Sequence, residues 1–407
     1  MKSITFLMHN IYAVGGTVKT IMNLANQLVR QGHKVTIISI FCNKSKPYFP
    51  LDERVKVQTL VNYQLHPRNT IPLLANRIRK YTPLLKPKIL TQLEPGFEQY
   101  SSYVEKKIIS AIQHHQSDIL VGTRPSHNLL IAQYAHTSQK TIGMEHMNFD
   151  AHSAALKLKI KESYARLNAV TTLTESDRQR YQSSVNTPIF VVSNMIDEKR
   201  LKLMKENKII AAGRFEYEKG FDLLVDAIYN IQDELRDYGY TLDIYGDGKE
   251  KEALAQHIGY AQLQDLIFLK STTNQLSTKI AMSKITVVPS RNEGFGMTIL
   301  EAMNQGSVVI SFDGNTGPES LITHRQNGFL VPAKRTEKLA HQILEVIEMH
   351  HARQIGPVLS NAYKTVEYYS PDHIYHQFKK SLIMSWHKCS RRYARTTKKG
   401  VKQSIIA

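Results

Sequence analysis

Residues 287–301 read VVPSRNEGFGMTILE, a segment that leaves an apolar strand, turns through two glycines and enters a helix. Gly294 and Gly296 carry no Cβ atom, so backbone N–H groups at the start of the helix can closely approach an anionic or hydroxyl-rich ligand. Glu293 lies in the turn and Glu301 lies inside the helix, so one ligand that meets both needs hydroxyls at two places. A sugar joined through phosphates to a ribose has that form. The plainer alternative is a pair of solvated helix charges.

The length and composition of the chain allow two or three domains. It has 407 residues, and about 150 residues is a common domain size. The apolar fraction of 42% can fill two buried sheets, and no run approaches the ~20 apolar residues that span a bilayer. The N-terminal apolar run is short and breaks at His9, which predicts a first strand and not a signal peptide. Cys42 and Cys389 lack metal-ligand spacing, and so few cysteines fit a reducing cytoplasm.

The net charge of +18 favours association with polyanions or anionic membrane surfaces. There is no acidic residue between Glu53 and Glu94, and acids are again absent after Asp372, where cations accumulate. The first basic segment also carries apolar side chains, so it suits peripheral contact with an anionic membrane or with a polyanionic acceptor. A solvated basic face is an equal alternative. The cations of this segment are Arg54, Lys56, Arg68, Arg77, Arg79, Lys80, Lys86 and Lys88.

The first 40 residues predict a strand, a glycine turn, a helix and a second strand. Residues 4–8 are apolar, Gly15-Gly16 forms the turn, and residues 35–40 are a β-branched run suited to a buried parallel strand. Prolines recur between residues 45 and 110, so a basic insertion of short helices and loops is expected there. Further strands are predicted at residues 118–122, 141–146, 167–173 and 188–192.

A second series of strands follows a polar stretch, residues 193–207, that predicts a hinge. Ligands of open parallel sheets bind beyond the carboxyl ends of the strands, and Arg214 and Lys219 lie on the loop after the first strand of this series. A planar guanidinium and a compact ammonium can together neutralise a diphosphate. Two solvated cations beside a turn are the alternative. The strands of this series are predicted at residues 208–214, 240–246, 266–269, 285–288 and 307–311.

Three motifs together resemble those of a known family. Glu293 and Glu301 match an E-x7-E motif, residues 213–220 read GRFEYEKG and match a GR-x4-KG motif, and residues 192–197 read VSNMID, which is similar to V-x-N-G-V-D. The chain therefore resembles the retaining GT-B glycosyltransferases of family 4, which include sucrose synthases and bacterial cell-envelope enzymes. Met195 replaces the glycine that is usual in the third motif, a change that concerns the geometry of the hinge.

The resemblance implies an α/β GT-B fold, in which two Rossmann-like domains face each other across a cleft. Residues 1–192 would form the domain on the acceptor side, and residues 208–370 the domain that binds the nucleotide-sugar donor. Residues 371–407 would form a helix that returns toward the first domain, followed by a basic tail.

The resemblance also implies roles for individual residues. Glu293 would hold hydroxyls of the donor sugar, Glu301 the ribose, and Arg214 with Lys219 the departing diphosphate. His146 follows a strand where the family carries a histidine near the reacting carbon, and His127 is its rival. The remaining donor-binding residues would be Gly16, Gly294, Phe295, Gly296, Met297, Thr298 and Lys270, the last standing near the nucleobase where many relatives have glycine.

Metal ligands are not evident in the sequence. No D-x-D occurs, and no group of histidines and cysteines has zinc spacing. The charge of the diphosphate would then be met by Arg214, Lys219 and helix N-termini. We therefore expect activity without a divalent metal, and no cofactor apart from a UDP-sugar as the donor substrate.

The expected function is retaining transfer of a hexose or N-acetylhexosamine from a UDP-sugar to a cell-envelope glycan or to an anionic polymer such as teichoic acid. Attack by the acceptor on the face of the leaving group would retain configuration without a protein nucleophile. The expected location is the cytoplasm, including the inner face of the membrane. The alternatives are a GT-B nucleotide-sugar epimerase and a non-catalytic polyanion-binding protein. No module specific for nucleic acid is apparent.

Overall fold

The computed structural model describes residues 1–42, 44–64, 70–82, 84–90, 94 and 97–382. The chain divides into two compact units, an N-terminal unit of Met1–Met195 with Pro371–Ala407 and a C-terminal unit of Ile196–Ser370. The boundary thus falls within the predicted hinge, and the predicted basic tail lies outside the described residues.

The N-terminal unit is built on a parallel sheet of seven strands in the order β3-β2-β1-β4-β5-β6-β7. The central strands are apolar and fully covered, as expected of a parallel sheet with helices on both faces. The strands are β1 (Ser3–Met8), β2 (Lys34–Cys42), β3 (Lys56–Asn62), β4 (Ile119–Gly122), β5 (Lys140–Met144), β6 (Ala169–Thr172) and β7 (Ile189–Val191).

In the described part of this unit, six α-helices lie between the strands. α1 starts directly at the predicted glycine turn, and its apolar stripe, which includes Ile21, Leu24 and Leu28, is buried. The helices are α1 (Gly16–Arg30), α2 (Thr70–Tyr81), α3 (Ser102–His114), α4 (Pro125–Tyr134), α5 (Ala154–Tyr164) and α6 (Glu175–Ser184).

The C-terminal unit holds a second parallel sheet, of six strands in the order β10-β9-β8-β11-β12-β13. Its strands are β8 (Glu206–Ala212), β9 (Thr241–Tyr245), β10 (Ile267–Lys270), β11 (Ser283–Val288), β12 (Val308–Phe312) and β13 (Phe329–Val331). Its helices are α7 (Phe221–Tyr229), α8 (Gln232–Asp237), α9 (Lys251–Tyr260), α10 (Leu276–Met282), α11 (Met297–Asn304), α12 (Thr316–Leu321), α13 (Thr336–His351) and α14 (Gly356–Glu367).

The last described helix, α15 (residues 371–382), belongs to the N-terminal unit. Its contacts there are polar as well as apolar. Gln27 Nε2 donates to Asp372 Oδ1 at 2.8 Å, and the ring of His33 shares a hydrogen bond with the Tyr375 hydroxyl. No helix in the described ranges is long and apolar enough to cross a membrane.

The insertion is more regular than the sequence predicted. Residues 45–110 were expected to hold short helices and loops, but they also contain β3, the edge strand of the first sheet. Strand β3 mixes polar and apolar residues and is largely exposed, so it lacks the continuous apolar run of a buried strand. Strand β13, which is only three residues long, was missed as well.

The topology of each sheet marks one place for a ligand. The order of the strands reverses between β1 and β4 in the first sheet, and between β8 and β11 in the second. Ligands of open α/β sheets bind outside the carboxyl ends of the strands at such a reversal. The loops that follow β8 and β11 are those that carry Arg214, Lys219 and Glu293.

Candidate functional site

The elbow of residues 289–296 joins β11 to α11 in the C-terminal unit. Gly296 precedes α11 with a left-handed φ of +93°, a conformation that favours glycine. A Cβ atom at this position would lie 2.7 Å from Ile299 Cδ1. Phe295 is buried next to it, whereas Gly294, Met297 and Thr298 are half-buried. Helix geometry leaves the N–H groups of Met297 and Thr298 without an acceptor inside α11, so they suit an anionic ligand.

Two of the predicted charged residues, Lys219 on the loop after β8 and Glu293 in the elbow, meet directly. Lys219 Nζ lies 2.6 Å from Glu293 Oε2, and both side chains are mostly buried. Ser290 Oγ donates to the same carboxylate oxygen at 3.3 Å. The carboxylate of Glu293 is therefore oriented by two donors from two different loops.

A close backbone contact brings Lys219 to the elbow. Gly220 adopts φ +65°, and a Cβ atom there would lie only 2.1 Å from the carbonyl oxygen of Pro289. Arg291 ties the same two loops together, since its N–H donates to Glu218 O at 2.8 Å and its Nη1 to Asp222 Oδ1 at 2.7 Å. Burial opposes ionisation of Asp222, but the Arg291 guanidinium holds the pKa of this carboxyl below its ordinary value.

Arg214 begins the same loop but stays outside the ion pair of Lys219 and Glu293. Its side chain is exposed, while the next residue, Phe215, is fully buried and anchors the loop by donating its N–H to Asp247 O at 2.9 Å. The backbone that carries the guanidinium is thus held in place at the carboxyl end of β8. That position leaves the guanidinium accessible to a ligand.

Glu301 is the fifth residue of α11 and is only 5% exposed. Charged side chains are rarely buried to this extent without a partner or a function. The alternative of two solvated helix charges therefore does not describe Glu301.

Lys270 lies apart from this group. It is the exposed last residue of β10, and its ammonium lies 5.0 Å from the ring centroid of Phe268. Two strand spacings separate β10 from β8, which corresponds to about 10 Å. Only a ligand that extends along the carboxyl edge of the sheet reaches both Lys270 and Glu293.

Sequence reasoning missed a third loop, which braces the elbow from the end of β12. Asn315 Oδ1 accepts from the Glu293 N–H at 3.1 Å, and its Nδ2 donates to Ser290 O at 3.2 Å. Gly317 packs so closely that a Cβ atom would lie 2.5 Å from Phe295 Cα. The sequence offered one indication of this contact. The loop follows β12, and β12 lies next to β11 in the sheet.

In the N-terminal unit, Gly16 is exposed at the first turn of α1, directly after the N-cap residue Gly15. This places backbone N–H groups at the carboxyl edge of the first sheet, beside the reversal of strand order. Gly16 belongs to the N-terminal unit, whereas the elbow belongs to the C-terminal unit.

His146 follows β5 and differs from its rival in hydrogen bonding. The residue is half-buried, yet both of its ring nitrogens are shielded from solvent and have no partner within the described part of the protein. Burial lowers the pKa of His146 to about 4. His127 is fully buried, and its two nitrogens contact Leu7 O and the Tyr100 hydroxyl. His127 is therefore committed to the core, whereas the imidazole of His146 keeps its hydrogen-bonding capacity unused within the described residues.

A buried carboxylate lies directly before His146. Glu145 accepts hydrogen bonds from Asn128 Nδ2 at 2.7 Å, from the Tyr181 hydroxyl at 3.1 Å and from the Tyr164 hydroxyl. These neutral donors hold the chain at the end of β5, so they also fix the backbone that carries His146.

Potential metal ligands do not gather anywhere in the described part of the chain, where no group of three or more His, Cys, Asp or Glu side chains could hold an ion. The charged side chains predicted to meet the donor are those of Lys219, Glu293, Glu301 and Arg214, and the elbow itself also carries Arg291, which pairs with Asp222.

Two Rossmann-like units of this kind define the GT-B class of glycosyltransferases, and solved structures of that class share the fold. Staphylococcus aureus TarM, solved as a mutant with fondaparinux, α-GlcNAc-glycerol and UDP, aligns with a TM-score of 0.74 and 17% identity, over 94% of this chain and 99% of that one. The pneumococcal O-GlcNAc transferase GtfA, solved with UDP and GlcNAc, aligns with a TM-score of 0.70 and 16% identity, over 95% and 99%.

Two family models match consecutive parts of the chain. The model for Glycosyltransferase Family 4 covers residues 14–200, and the model for Glycosyl transferases group 1 covers residues 193–356. The chain therefore belongs to the group 1 glycosyltransferases of family 4.

Three bacterial proteins with curated descriptions are similar in sequence to this chain. An uncharacterized glycosyltransferase of Haemophilus influenzae is 26% identical over 83% of this chain and 88% of its own length. The amylovoran biosynthesis glycosyltransferase AmsD of Erwinia amylovora is 25% identical over 87% and 92%. A poly(ribitol-phosphate) α-N-acetylglucosaminyltransferase of S. aureus is 27% identical over 60% of this chain and 50% of its own length.

Proposed function

We propose that this glycosyltransferase is a retaining, metal-independent hexosyltransferase that moves a hexose or N-acetylhexosamine from a UDP-sugar to a cell-envelope glycan or anionic polymer. The observation that carries the proposal is the ion pair of Lys219 and Glu293 beside the N-terminus of α11. A carboxylate that accepts from sugar hydroxyls stands next to cations and N–H groups that attract a diphosphate.

Each group at the elbow has a role in this reaction. Glu293 accepts hydrogen bonds from hydroxyls of the donor sugar, and Glu301 from the ribose. Arg214, Lys219 and the first N–H groups of α11 stabilise the negative charge that grows on the diphosphate as the glycosidic bond breaks. The acceptor oxygen bonds to the anomeric carbon on the face that the diphosphate leaves, and the hydroxyl proton leaves with the diphosphate. Configuration is thereby retained.

His146 contributes a neutral imidazole. Because burial lowers its pKa to about 4, the ring carries no charge near neutral pH. Its nitrogens can then exchange hydrogen bonds with sugar hydroxyls, one as a donor and one as an acceptor. Its role is to orient the donor sugar near the reacting carbon.

Two observations support the proposed donor and acceptor: the ligands or names of similar proteins, and the net charge of this chain. TarM and GtfA were solved with UDP, and the S. aureus relative acts on poly(ribitol-phosphate) according to its name. The net charge of +18 suits an acceptor that carries many phosphates. We also propose that transfer takes place in the cytoplasm, at the inner face of an anionic membrane.

A panel of UDP- and GDP-sugars tests the donor. Bound donor stabilises the folded state, so the correct UDP-sugar should raise the melting temperature, and Glu293→Gln should abolish the rise. The same variant should lower transfer to poly(ribitol-phosphate) by about 100-fold or more. Glu345→Gln is the matched control, because it removes the carboxylate of another ion pair, with Arg325, on α13. Failure of every UDP-sugar to bind would refute the proposal.

Further arms separate the alternatives. An epimerase would release free sugar from the donor without any acceptor, whereas a transferase turns over at full rate only when the acceptor is present. A non-catalytic polyanion-binding protein would retain all of its function in Glu293→Ala. Metal independence predicts unchanged turnover in EDTA, and a loss that Mg²⁺ restores would contradict it.

A further inference from the structure

Helix α2 presents an unusual face to solvent. Its inward side packs Ala75 and turns Arg79 toward the carbonyl oxygen of Glu98. Its outward side carries Ile71, Leu74 and Tyr81, at helical spacings that place them on one face. These three apolar side chains therefore point away from the protein.

The exposure of these side chains is large. Ile71 is 64% exposed, Leu74 59% and Tyr81 72%. Leu84, one turn beyond the helix, is exposed as well. Scattered exposed apolar residues need no explanation, but a contiguous apolar group marks an interaction site. We call Ile71, Leu74, Arg77, Lys80, Tyr81 and Leu84 the α2 patch.

The charged residues of the chain segment that carries the patch are all basic. Arg77 and Lys80 are exposed within it, and Lys86 and Lys88 are exposed just beyond it. No acidic residue occurs in the sequence between Glu53 and Glu94. The patch therefore attracts an anionic surface, and no carboxylate on the same segment of the chain offsets that attraction.

We propose that the α2 patch docks the protein on an anionic lipid bilayer, with Ile71, Leu74 and Leu84 entering the boundary between headgroups and acyl chains. A basic helix with an apolar face and aromatic residues lies in that boundary. A soluble polyanion offers charge but no apolar phase, so it gives no reason for the exposed leucines and isoleucine. Tyrosine is a residue of membrane interfaces, because its ring is apolar and its hydroxyl is polar. The inference deepens the proposed location and is independent of the transfer chemistry.

Flotation of the full chain with vesicles tests the proposal. Wild type should float with vesicles of phosphatidylcholine and phosphatidylglycerol, and only weakly with phosphatidylcholine alone. Ile71→Ser/Leu74→Ser, which leaves every cation in place, should weaken binding by about tenfold or more. Leu74→Ser/Arg77→Gln/Lys80→Gln should abolish binding at physiological salt.

A matched control lies on α5 of the same unit. Leu158 is 62% exposed and is followed by the exposed Lys159 and Lys161. Leu158→Ser/Lys159→Gln/Lys161→Gln therefore makes the same chemical change outside the patch and should leave flotation unchanged. All substituted side chains are exposed, so melting temperatures should stay close to that of wild type.

Two results would overturn the proposal. One is wild-type flotation of Ile71→Ser/Leu74→Ser, which would show that charge alone attracts the protein. The other is equal loss in the α5 control, which would show that the contact is not specific to α2. Polyphosphate serves as a probe for the rival partner, a soluble polyanion. A variant that loses vesicle binding but still binds polyphosphate would support the bilayer as the partner. The rise in melting temperature caused by a UDP-sugar should be the same in every α2 variant as in wild type. Failure of the membrane proposal is therefore distinguishable from failure of the proposed function.

Discussion

At the scale of the residue, the candidate site depends on a few positions where chemistry and backbone geometry coincide. Lys219 and Glu293 are far apart in the sequence but meet at 2.6 Å. Gly220, next to Lys219, permits the approach because it has no Cβ atom to meet Pro289. The E-x7-E and GR-x4-KG motifs predicted candidate site residues. The second motif contains Gly220, but it does not indicate that this glycine lets Lys219 approach the elbow.

Gly220→Ala tests this contact. The new Cβ atom would lie 2.1 Å from a backbone oxygen that cannot rotate away, so we expect a loss of about 3 kcal/mol or more in the free energy of unfolding. Gly239→Ala is the control, since Gly239 has nearly the same positive φ but nothing within 4 Å of a new Cβ atom. That control should lose only about 1 kcal/mol, from strain. Urea unfolding measures both, and equal losses would argue against the close contact.

A double-mutant cycle tests the ion pair of Lys219 and Glu293. Each side chain is mostly buried, so either single variant, Lys219→Met or Glu293→Gln, leaves a poorly solvated partner behind. We expect the double variant to be more stable than the sum of the single effects predicts, by about 1 kcal/mol. Urea unfolding without ligand measures the cycle. Strict additivity would mean that the two groups do not interact in solution.

At the scale of the element, α11 is short and depends on its neighbours. It is eight residues long, and helices shorter than about 12 residues are marginal by themselves in water. The loops after β8 and β12 hold its N-terminal end through Arg291 and Asn315. The candidate site is thus assembled from three loops at adjacent strand ends, and the motifs in the sequence indicated two of these loops.

Asn315→Ala tests the bracing of the elbow. It removes one hydrogen bond from the Glu293 N–H and one to the Ser290 carbonyl oxygen, at a cost of about 1–3 kcal/mol. It should also weaken binding of UDP-sugar, because the elbow loses its orientation. Asn327→Ala is the matched control. Asn327 is also buried, and its side chain accepts from the Thr323 N–H and donates to the Leu321 carbonyl oxygen, away from the elbow. Calorimetric titration with UDP should separate the two variants, and equal affinities would count against the brace.

At the scale of the whole molecule, the N-terminal unit buries several histidines in their neutral form. Burial, together with the nearby charge of Arg124, lowers the pKa of His9 to about 4 and that of His127 well below its usual value. Burial also lowers the pKa of His146 to about 4. All three lie near the carboxyl ends of the strands, the edge at which open α/β sheets bind ligands.

The pH dependence of stability follows from these shifts. In the unfolded chain a histidine takes up a proton near its ordinary pKa of about 6.5, whereas the folded protein resists protonation down to about pH 4. The stabilisation is therefore complete above pH 6.5 and falls as the pH drops toward 4, by about 1.4 kcal/mol per unit of pKa difference. Urea midpoints at pH 7.5 and 5.0 should show the loss. His146→Asn should reduce it, whereas His136→Asn, an exposed control, should not.

The sequence by itself determined the two parallel sheets, because continuous apolar runs such as residues 35–40 can only be satisfied by burial on both faces. It also determined the elbow, since glycines and carboxylates at fixed spacing are a local property of the chain. Strand β3 escaped prediction, because an edge strand needs only one apolar face.

Only the tertiary structure decided which distant groups meet. The contacts of Gly220 with Pro289 and of Asn315 with Glu293 join separate loops, and the outward direction of Ile71 and Leu74 depends on which side of α2 packs against its unit. The periodicity of a helix shows that it has an apolar face, but only packing determines whether that face is buried in the protein or left for a partner. The glycine elbow is therefore local in origin, whereas the site that is built around it depends on the fold.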